Sequence, residues 1–263
     1  LTMSGLSVAA SKVYNGNTSA TVSGTVTLLS AEAVGSGTNT DGKRYTGDTV
    51  SITGTAVGTY NSQDVANAST VTFSGLSLTG ADASNYSLTV QSPASATITA
   101  KALTMSGLTV SASRIYDGTT AATVSGTAAL LSSEAVGTGT TADGKPYTGD
   151  TVALIGTAVG TYNSKDVATA NAVTFSGLSL NNSNYSLSIQ SPAAATITVK
   201  SLTMSGLIVP TSKVYDGTTT ATVSGTATLL SSEAAGTGTT ADGKPYTGDV
   251  VAITGTAVGT YNN

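Results

Sequence analysis

Leu1–Leu6 reads LTMSGL, and the same six residues return at Leu103–Leu108 and at Leu202–Leu207. The openings stand 102 and then 99 residues apart, so this chain of 263 residues carries about two and a half copies of one unit. Later landmarks keep the period. Tyr14, Tyr116 and Tyr215 follow each opening. TDGKRYTGD, ending at Asp48, returns as ADGKPYTGD ending at Asp150 and at Asp249, and GTAVGTY ends at Tyr60, Tyr162 and Tyr261. The three-residue difference falls where LTGADASNY, ending at Tyr86, becomes LNNSNY, ending at Tyr185. A polar segment between Leu78 and Asn85 that shortens without disturbing its flanks reads as a surface loop. The repeats are assigned to 1–102, 103–201 and a partial 202–263, and the chain reads as a stretch of a longer array. The third copy stops at the counterpart of Asn61. Its sheet edge therefore needs a partner from outside its own repeat, or the structural boundary lies inside the sequence repeat.

Within each copy the apolar residues alternate. Tyr86, Leu88 and Val90, Val71 and Phe73, and Ile98 and Ala100 are period-2 sets separated by Ser and Thr, the pattern of half-buried strands. Asn15-Gly16, Asp117-Gly118 and Asp216-Gly217 stand between a Val-Tyr or Ile-Tyr pair and a Thr-rich run, which predicts two-residue hairpin turns. The segment LLSAEA, Leu28–Ala33, is composed of helix formers and bounded by Gly35, which predicts one or two helical turns. From Thr97 to Met105 and from Thr196 to Met204, strand-like sequence crosses the repeat boundary with no Gly or Pro, unlike a flexible linker. The apolar phase shifts between Ala100 and Leu103, so the inward face turns as the chain passes from one repeat to the next. The expected fold class is all-β: tandem β-sandwich modules of about 100 residues, Ig-like or β-grasp-like, joined head to tail into a stiff rod.

Composition limits the chemistry. Charged residues make up 9% of the chain, against a usual value of roughly 25%. The surface is expected to be mostly hydroxyl and amide. The low net charge of −4 and the many Val, Ile and Thr distinguish the chain from a disordered polar tract. There is no Cys and no His, which removes disulfides, thiol metal sites and the commonest acid–base side chain. No basic run could neutralise phosphates, so nucleic acid is not an expected partner. No apolar run has the length of a membrane span. An enzyme is not expected: the acids sit in loops with nothing to mark them as perturbed.

Lys12-Val13-Tyr14-Asn15-Gly16, sharper as Lys213-Val214-Tyr215-Asp216-Gly217-Thr218-Thr219, together with GADASNYSL from Gly80 and the exit ATITAK from Ala96, resembles the YDG-type repeats of large bacterial adhesins. Those repeats occur in filamentous-haemagglutinin-like exoproteins and biofilm-matrix adhesins. The resemblance covers the chain copy by copy. It departs at Asn15, where the family has Asp, and in the longer Thr/Gly-rich loop from Gly35 to Asp48. It implies an extracellular location at the bacterial cell surface and a stalk role, and it carries over no catalytic, cofactor or metal residue.

Three recurring sets were weighed as sites. The Tyr-Asn/Asp-Gly motif reads first as structure, with Tyr packing the module end and Gly supplying positive φ. The pairs Asp41/Asp48, Asp143/Asp150 and Asp242/Asp249 read as turn and cap residues rather than as Ca²⁺ ligands, since no DxDxDG spacing supplies the six to eight oxygens such an ion wants. Glu32, Glu134 and Glu233 recur with Lys12, Arg114 and Lys213, but Arg114 breaks any general isopeptide crosslink at that position. No cofactor is expected. The leading expectation is a structural, fibre-forming stalk that supports cell adhesion or a biofilm matrix, with neighbouring repeats as partners. The alternative is a module binding a polysaccharide or a like fibre through Lys43, Tyr45 and Asp48 of the long loop or through its Thr-rich faces.

Overall fold

The computed structural model describes residues 1–262. It is essentially all-β, in many small sheets. Among the described residues the only helix is a 3₁₀ turn at Ala83–Asn85, inside the loop that shortens in the second repeat. The first repeat sets the plan with β1 (Met3–Val8), β2 (Ser11–Val13), β3 (Ser19–Ala20), β4 (Val22–Leu28), β5 (Ser51–Tyr60), β6 (Thr70–Thr79), β7 (Ala94–Ser95) and β8 (Thr97–Thr99). β1 pairs antiparallel with β4, while β3, β5, β6 and β7 form a four-stranded antiparallel sheet in that order. β2 lies parallel to β8.

Alternation holds, but its phase is reset at bulges. The β1–β4 register shifts between Ser4 and Leu6, so Met3 and Leu6 both point inward although three residues separate them. Gly5 makes this possible: at φ +98°, a Cβ there would lie 2.2 Å from the Thr25 carbonyl oxygen. The β5–β6 register shifts a second time between Gly54 and Val57, and β6 serves two cores. Phe73 joins Met3 and Leu6 in one, with Val22, Ile52 and Leu76 packed against them. Val71 belongs to the other, with Tyr14, Tyr60, Ala68, Ala96 and Ile98.

By contacts the chain divides into two compact units, and the division falls inside the second repeat. The first unit comprises Leu1–Gly107, Ala128–Gly156 and Leu178–Gln190. Here β8 passes through Ala100 into β9 (Lys101–Val110), whose first residues run parallel to Tyr185–Ser188 with Lys101 opposite Tyr185. The second unit comprises Leu108–Thr127, Thr157–Gly177 and the chain from Ser191 onward. Its core of Tyr162, Ala170, Val173, Ala195 and Ile197, with Tyr116 packed against it, repeats the lower core of the first repeat. In the third copy Met204–Ile208 pairs with Ser224–Leu229, and Thr220–Ala221 with Gly259–Thr260. Residues 249–258 form no strand, and Val250 is fully exposed.

Two expectations are corrected. Leu28–Ala33 is not helical: β4 runs through Leu28, the Glu32 N–H donates to the Arg44 carbonyl at 2.9 Å, and Thr46 N–H donates to the Glu32 carbonyl at 2.7 Å. Pairing with the 44–46 segment satisfies this backbone better than an isolated turn would, overriding helix propensity. Asn15-Gly16 does not close a hairpin either. The flanking strands go to different sheets, β2 to β8 and β3 to β5. Gly16 has φ +74°, but among the described residues no non-Gly residue, Asn15 included, has positive φ, so the turn is not of the type that needs two such residues.

Candidate functional site: the repeat junction

The residues that recur most faithfully converge where one repeat meets the next. In the first unit Tyr14 is 1% exposed and enters a socket made by the second repeat. Its ring lies edge-on to Tyr185 at 5.3 Å between centroids and tilted against Tyr147 at 5.9 Å. Its hydroxyl donates to Asp150 Oδ2 at 2.8 Å, and Tyr185 donates to the same oxygen at 2.6 Å. The Tyr147 N–H donates to the Tyr185 hydroxyl at 2.9 Å, so the socket is braced before Tyr14 arrives. Burial first, and then the Asp150 carboxylate, push both hydroxyls well above the ordinary tyrosine value. Beside them Asn184 donates to Asp64 Oδ1 at 2.9 Å and accepts the Val65 N–H at 2.8 Å. Tyr14, Tyr60, Val71 and Ile98 thus share one core with Leu103, Tyr147 and Tyr185 of the following repeat.

Lys101 closes the same junction. Its side chain is fully buried, with Nζ 2.7 Å from Glu134 Oε1, 3.0 Å from Asp143 Oδ1 and 4.0 Å from the Tyr147 ring centroid. Burial opposes its charge, but the two carboxylates outweigh burial and hold its pKa above the lysine value. Burial likewise opposes the charge on Asp143, and it is overcome by the Lys145 N–H and the Lys101 ammonium, which keep Asp143 well below the carboxylate range.

The second unit repeats the arrangement. Tyr116 packs at 5.8 Å on Tyr246 and donates to Asp249 Oδ1 at 2.9 Å. Lys200 lies 2.8 Å from Glu233 and 3.0 Å from Asp242, 4.0 Å over the Tyr246 ring. Lys165 adds a donor to the Tyr116 hydroxyl at 3.3 Å, and Asp166 with that hydroxyl raises Lys165 to about 12. Tyr246, Asp249, Glu233 and Asp242 of the third copy thus pack on Tyr116, Lys165 and Lys200 of the second.

The sequence-predicted candidates divide among different tasks. Of the motif tyrosines, Tyr14 and Tyr116 pack repeat on repeat, whereas Tyr215 is 92% exposed, and Gly16 sits where a Cβ would meet the Val136 side chain at 2.9 Å. The aspartate pairs do not converge on one point. Asp48, Asp150 and Asp249 accept tyrosine hydroxyls, whereas Asp41, Asp143 and Asp242 each accept the N–H two residues on, and the latter two also meet the junction lysine. Lys12 does not meet a glutamate. Its ammonium donates to Asn15 Oδ1, the Asn17 carbonyl and the Ser19 carbonyl at 2.7–2.9 Å, 5.2 Å from the Tyr60 centroid. Arg114 and Lys213 tie their own turns to Asp117 and Asp216 in the same way. The cleft beside Lys12, about 420 Å³, thus presents a cation already saturated by the protein. In the long loop Tyr147 and Tyr246 are consumed by the junction, and of the three loop residues considered for ligand contact the lysine remains at the surface, Lys43 being 43% exposed. Lys101 and Lys200 stand in the sequence only as the last residues of the exit segments. Their recurrence once per boundary was the available signal.

Comparison with known families gives two matches of the YDG domain, over residues 1–96 and 99–195. The chain belongs to the YDG domain family. The first match ends at Ala96 and the second begins at Thr99, two residues ahead of the buried Lys101. No curated protein and no solved structure shows a significant match.

Proposed function

We propose that these YDG domains are a structural, non-catalytic stalk of a secreted bacterial surface adhesin, in which tandem β-modules joined head to tail form a stiff rod supporting cell adhesion or a biofilm matrix. One observation carries this reading: neighbouring repeats share a hydrophobic core, an aromatic socket and a buried ion-paired lysine instead of a linker. Bending at such a junction requires Tyr14 to leave a fully desolvated site and Lys101 to part from two carboxylates, costs that a Gly/Ser linker does not impose. The weakly charged surface and the absence of Cys and His suit a long exported chain whose task is mechanical. Electron microscopy of this chain beside one with twice as many repeats tests the proposal. Separate rods whose length doubles are expected. Compact particles whose length does not scale would overturn the stalk, and ordered bundles would move the weight to a self-binding filament module.

A further inference from the structure

The first repeat departs from the other two at one turn. Asn15-Gly16 stands where they have Asp117-Gly118 and Asp216-Gly217, and it is the one Asn-Gly pair in the sequence. The cage around it is the same. Lys12 Nζ donates to Asn15 Oδ1 at 2.7 Å, to Asn17 Oδ1 at 3.1 Å and to the Ser19 carbonyl at 2.9 Å. Lys213 Nζ stands 2.8 Å from Asp216 Oδ1, 2.9 Å from Thr218 Oγ1 and 3.0 Å from the Thr220 carbonyl. The backbone N–H two residues on donates to the same oxygen, at 2.9 Å from Thr218 and at a looser 3.4 Å from Asn17. Charge is what differs. Arg114 and Lys213 each face a carboxylate, whereas the oxygens that Lys12 meets are all neutral. Burial lowers the Lys12 pKa, with no anion to offset it. Lys12 and Asn15 also line an open cleft of about 420 Å³, so water reaches the turn.

We propose that Asn15 is a self-modification site, at which the Gly16 nitrogen displaces the side-chain amide and water then leaves an aspartate paired with Lys12. In the first step the nitrogen attacks Cγ, the new C–N bond closes a five-membered succinimide, and the Cγ–Nδ2 bond breaks. Ammonia leaves with the proton that the Gly16 nitrogen gives up. Glycine suits this step because no side chain shields its nitrogen. In the second step water adds to Cγ, the new C–N bond breaks, and the Gly16 nitrogen recovers a proton. The net change is ammonia out and water in, with no oxidant or further reactant. Lys12 directs both steps. Its ammonium donates to Oδ1, the atom on which negative charge develops each time Cγ is attacked. Attack at the main-chain carbonyl, which gives the isoaspartyl product, lacks that donor. The isoaspartyl form also adds a methylene to the main chain in a turn where even a Cβ on Gly16 would meet Val136 at 2.9 Å. An aspartate fits as it stands, since Asp216 already sits this way beside Lys213. Repeat 1 thereby acquires after synthesis the ion pair that the other repeats encode, and the proposal stands whether or not the array serves as a stalk.

The test incubates the folded full chain in mildly alkaline buffer and follows the peptide holding Asn15 by mass spectrometry, with electron-transfer fragmentation to separate aspartyl from isoaspartyl product. Asn15 should convert ahead of Asn17, Asn61 and Asn85 of the same chain, and the aspartyl product should predominate. In the chain unfolded by urea the isoaspartyl product should predominate, the ordinary outcome in flexible peptides. Lys12→Met should slow conversion of the folded chain about tenfold, less than the loss of a fully preorganised oxyanion donor because this one is partly solvated. Asn15→Asp, the finished product, should melt above the parent chain, and a fully converted sample should match it. An unchanged or faster rate in Lys12→Met would overturn the proposal, as would a folded chain that keeps Asn15 intact or yields mainly the isoaspartyl form. A melting point of Asn15→Asp below the parent's would count equally against it, since the aspartate would then not fit the cage. The product ratio is read on the parent chain and needs no variant to fold.

Discussion

Lys101 is the residue on which a junction depends most. Removing one partner of a buried ion pair leaves the others desolvated and uncompensated, which costs about 3–5 kcal/mol. Lys101→Met, which keeps the volume, should lower stability at neutral pH by about 3 kcal/mol in urea denaturation. The loss should shrink in acid as Asp143, held low by the Lys145 N–H and the Lys101 ammonium, becomes protonated. An unchanged urea midpoint would mean that the carboxylates are satisfied without the ammonium. Glycine offers a second comparison. Gly16 and Gly35 have nearly the same φ, +74° and +76°, but a Cβ on Gly16 meets Val136 whereas one on Gly35 meets nothing within 4 Å. Both alanine substitutions carry the left-handed cost of about 1–2 kcal/mol. Gly16→Ala should lose roughly 1 kcal/mol more through crowding. Equal thermal midpoints for the two variants would show that the Tyr14 turn is not pressed against the next repeat.

At the scale of the element, the step from β8 to β9 decides how two repeats are coupled. Ile98 faces the lower core of one repeat, and after Ala100 the inward positions become Lys101, Leu103 and Met105. A one-residue insertion between Ala100 and Lys101 moves that whole set to the other face of the strand. Such a variant should lose the single cooperative transition of the first unit and unfold in two steps. Tyr14 should become accessible to nitration while Met3, Leu6 and Phe73 stay packed. A single unchanged transition would indicate that the coupling of the two repeats does not depend on the phase of this strand.

For the molecule as a whole, the junctions set a pH window. Tyr14 and Tyr185 have folded pKa values raised above their ordinary 10.0, so the stability they contribute is full below pH 10 and is lost as pH rises through the folded values. Lys101 and Lys200 are also raised, which places their loss above 10.5, on the same alkaline side. Asp143 and Asp242 are depressed, so their contribution is present above the ordinary 3.8 and is lost as pH falls through the folded values. Thermal midpoints should therefore form a plateau between about pH 4 and pH 10 and fall on both sides. The alkaline fall should be milder in Tyr14→Phe, which has no hydroxyl to ionise. A steady decline beginning near neutrality would contradict the assignment of these groups to the junction.

Much of this was legible in the residues themselves. A period near 100, alternation of Val, Leu, Ile and Tyr with Ser and Thr, and the shortened polar loop before Tyr185 are local properties of the chain, and they determined an all-β repeat with its loop in the right place. The motif tyrosine reads as a packing residue and its glycine as a positive-φ position; the structure buries Tyr14, leaves Tyr215 exposed, and gives Gly16 a φ of +74°. What only the tertiary structure decided is which segments meet. Leu28–Ala33 became extended because 44–46 offered it backbone partners, and the Asn15-Gly16 turn joined two sheets because β2 found β8, over eighty residues away. In the sequence Lys101 stands only as the end of the exit ATITAK. Its burial depends on Glu134, Asp143 and Tyr147 arriving from a distant loop, and no local pattern records a desolvation that is offset only by partners remote in sequence.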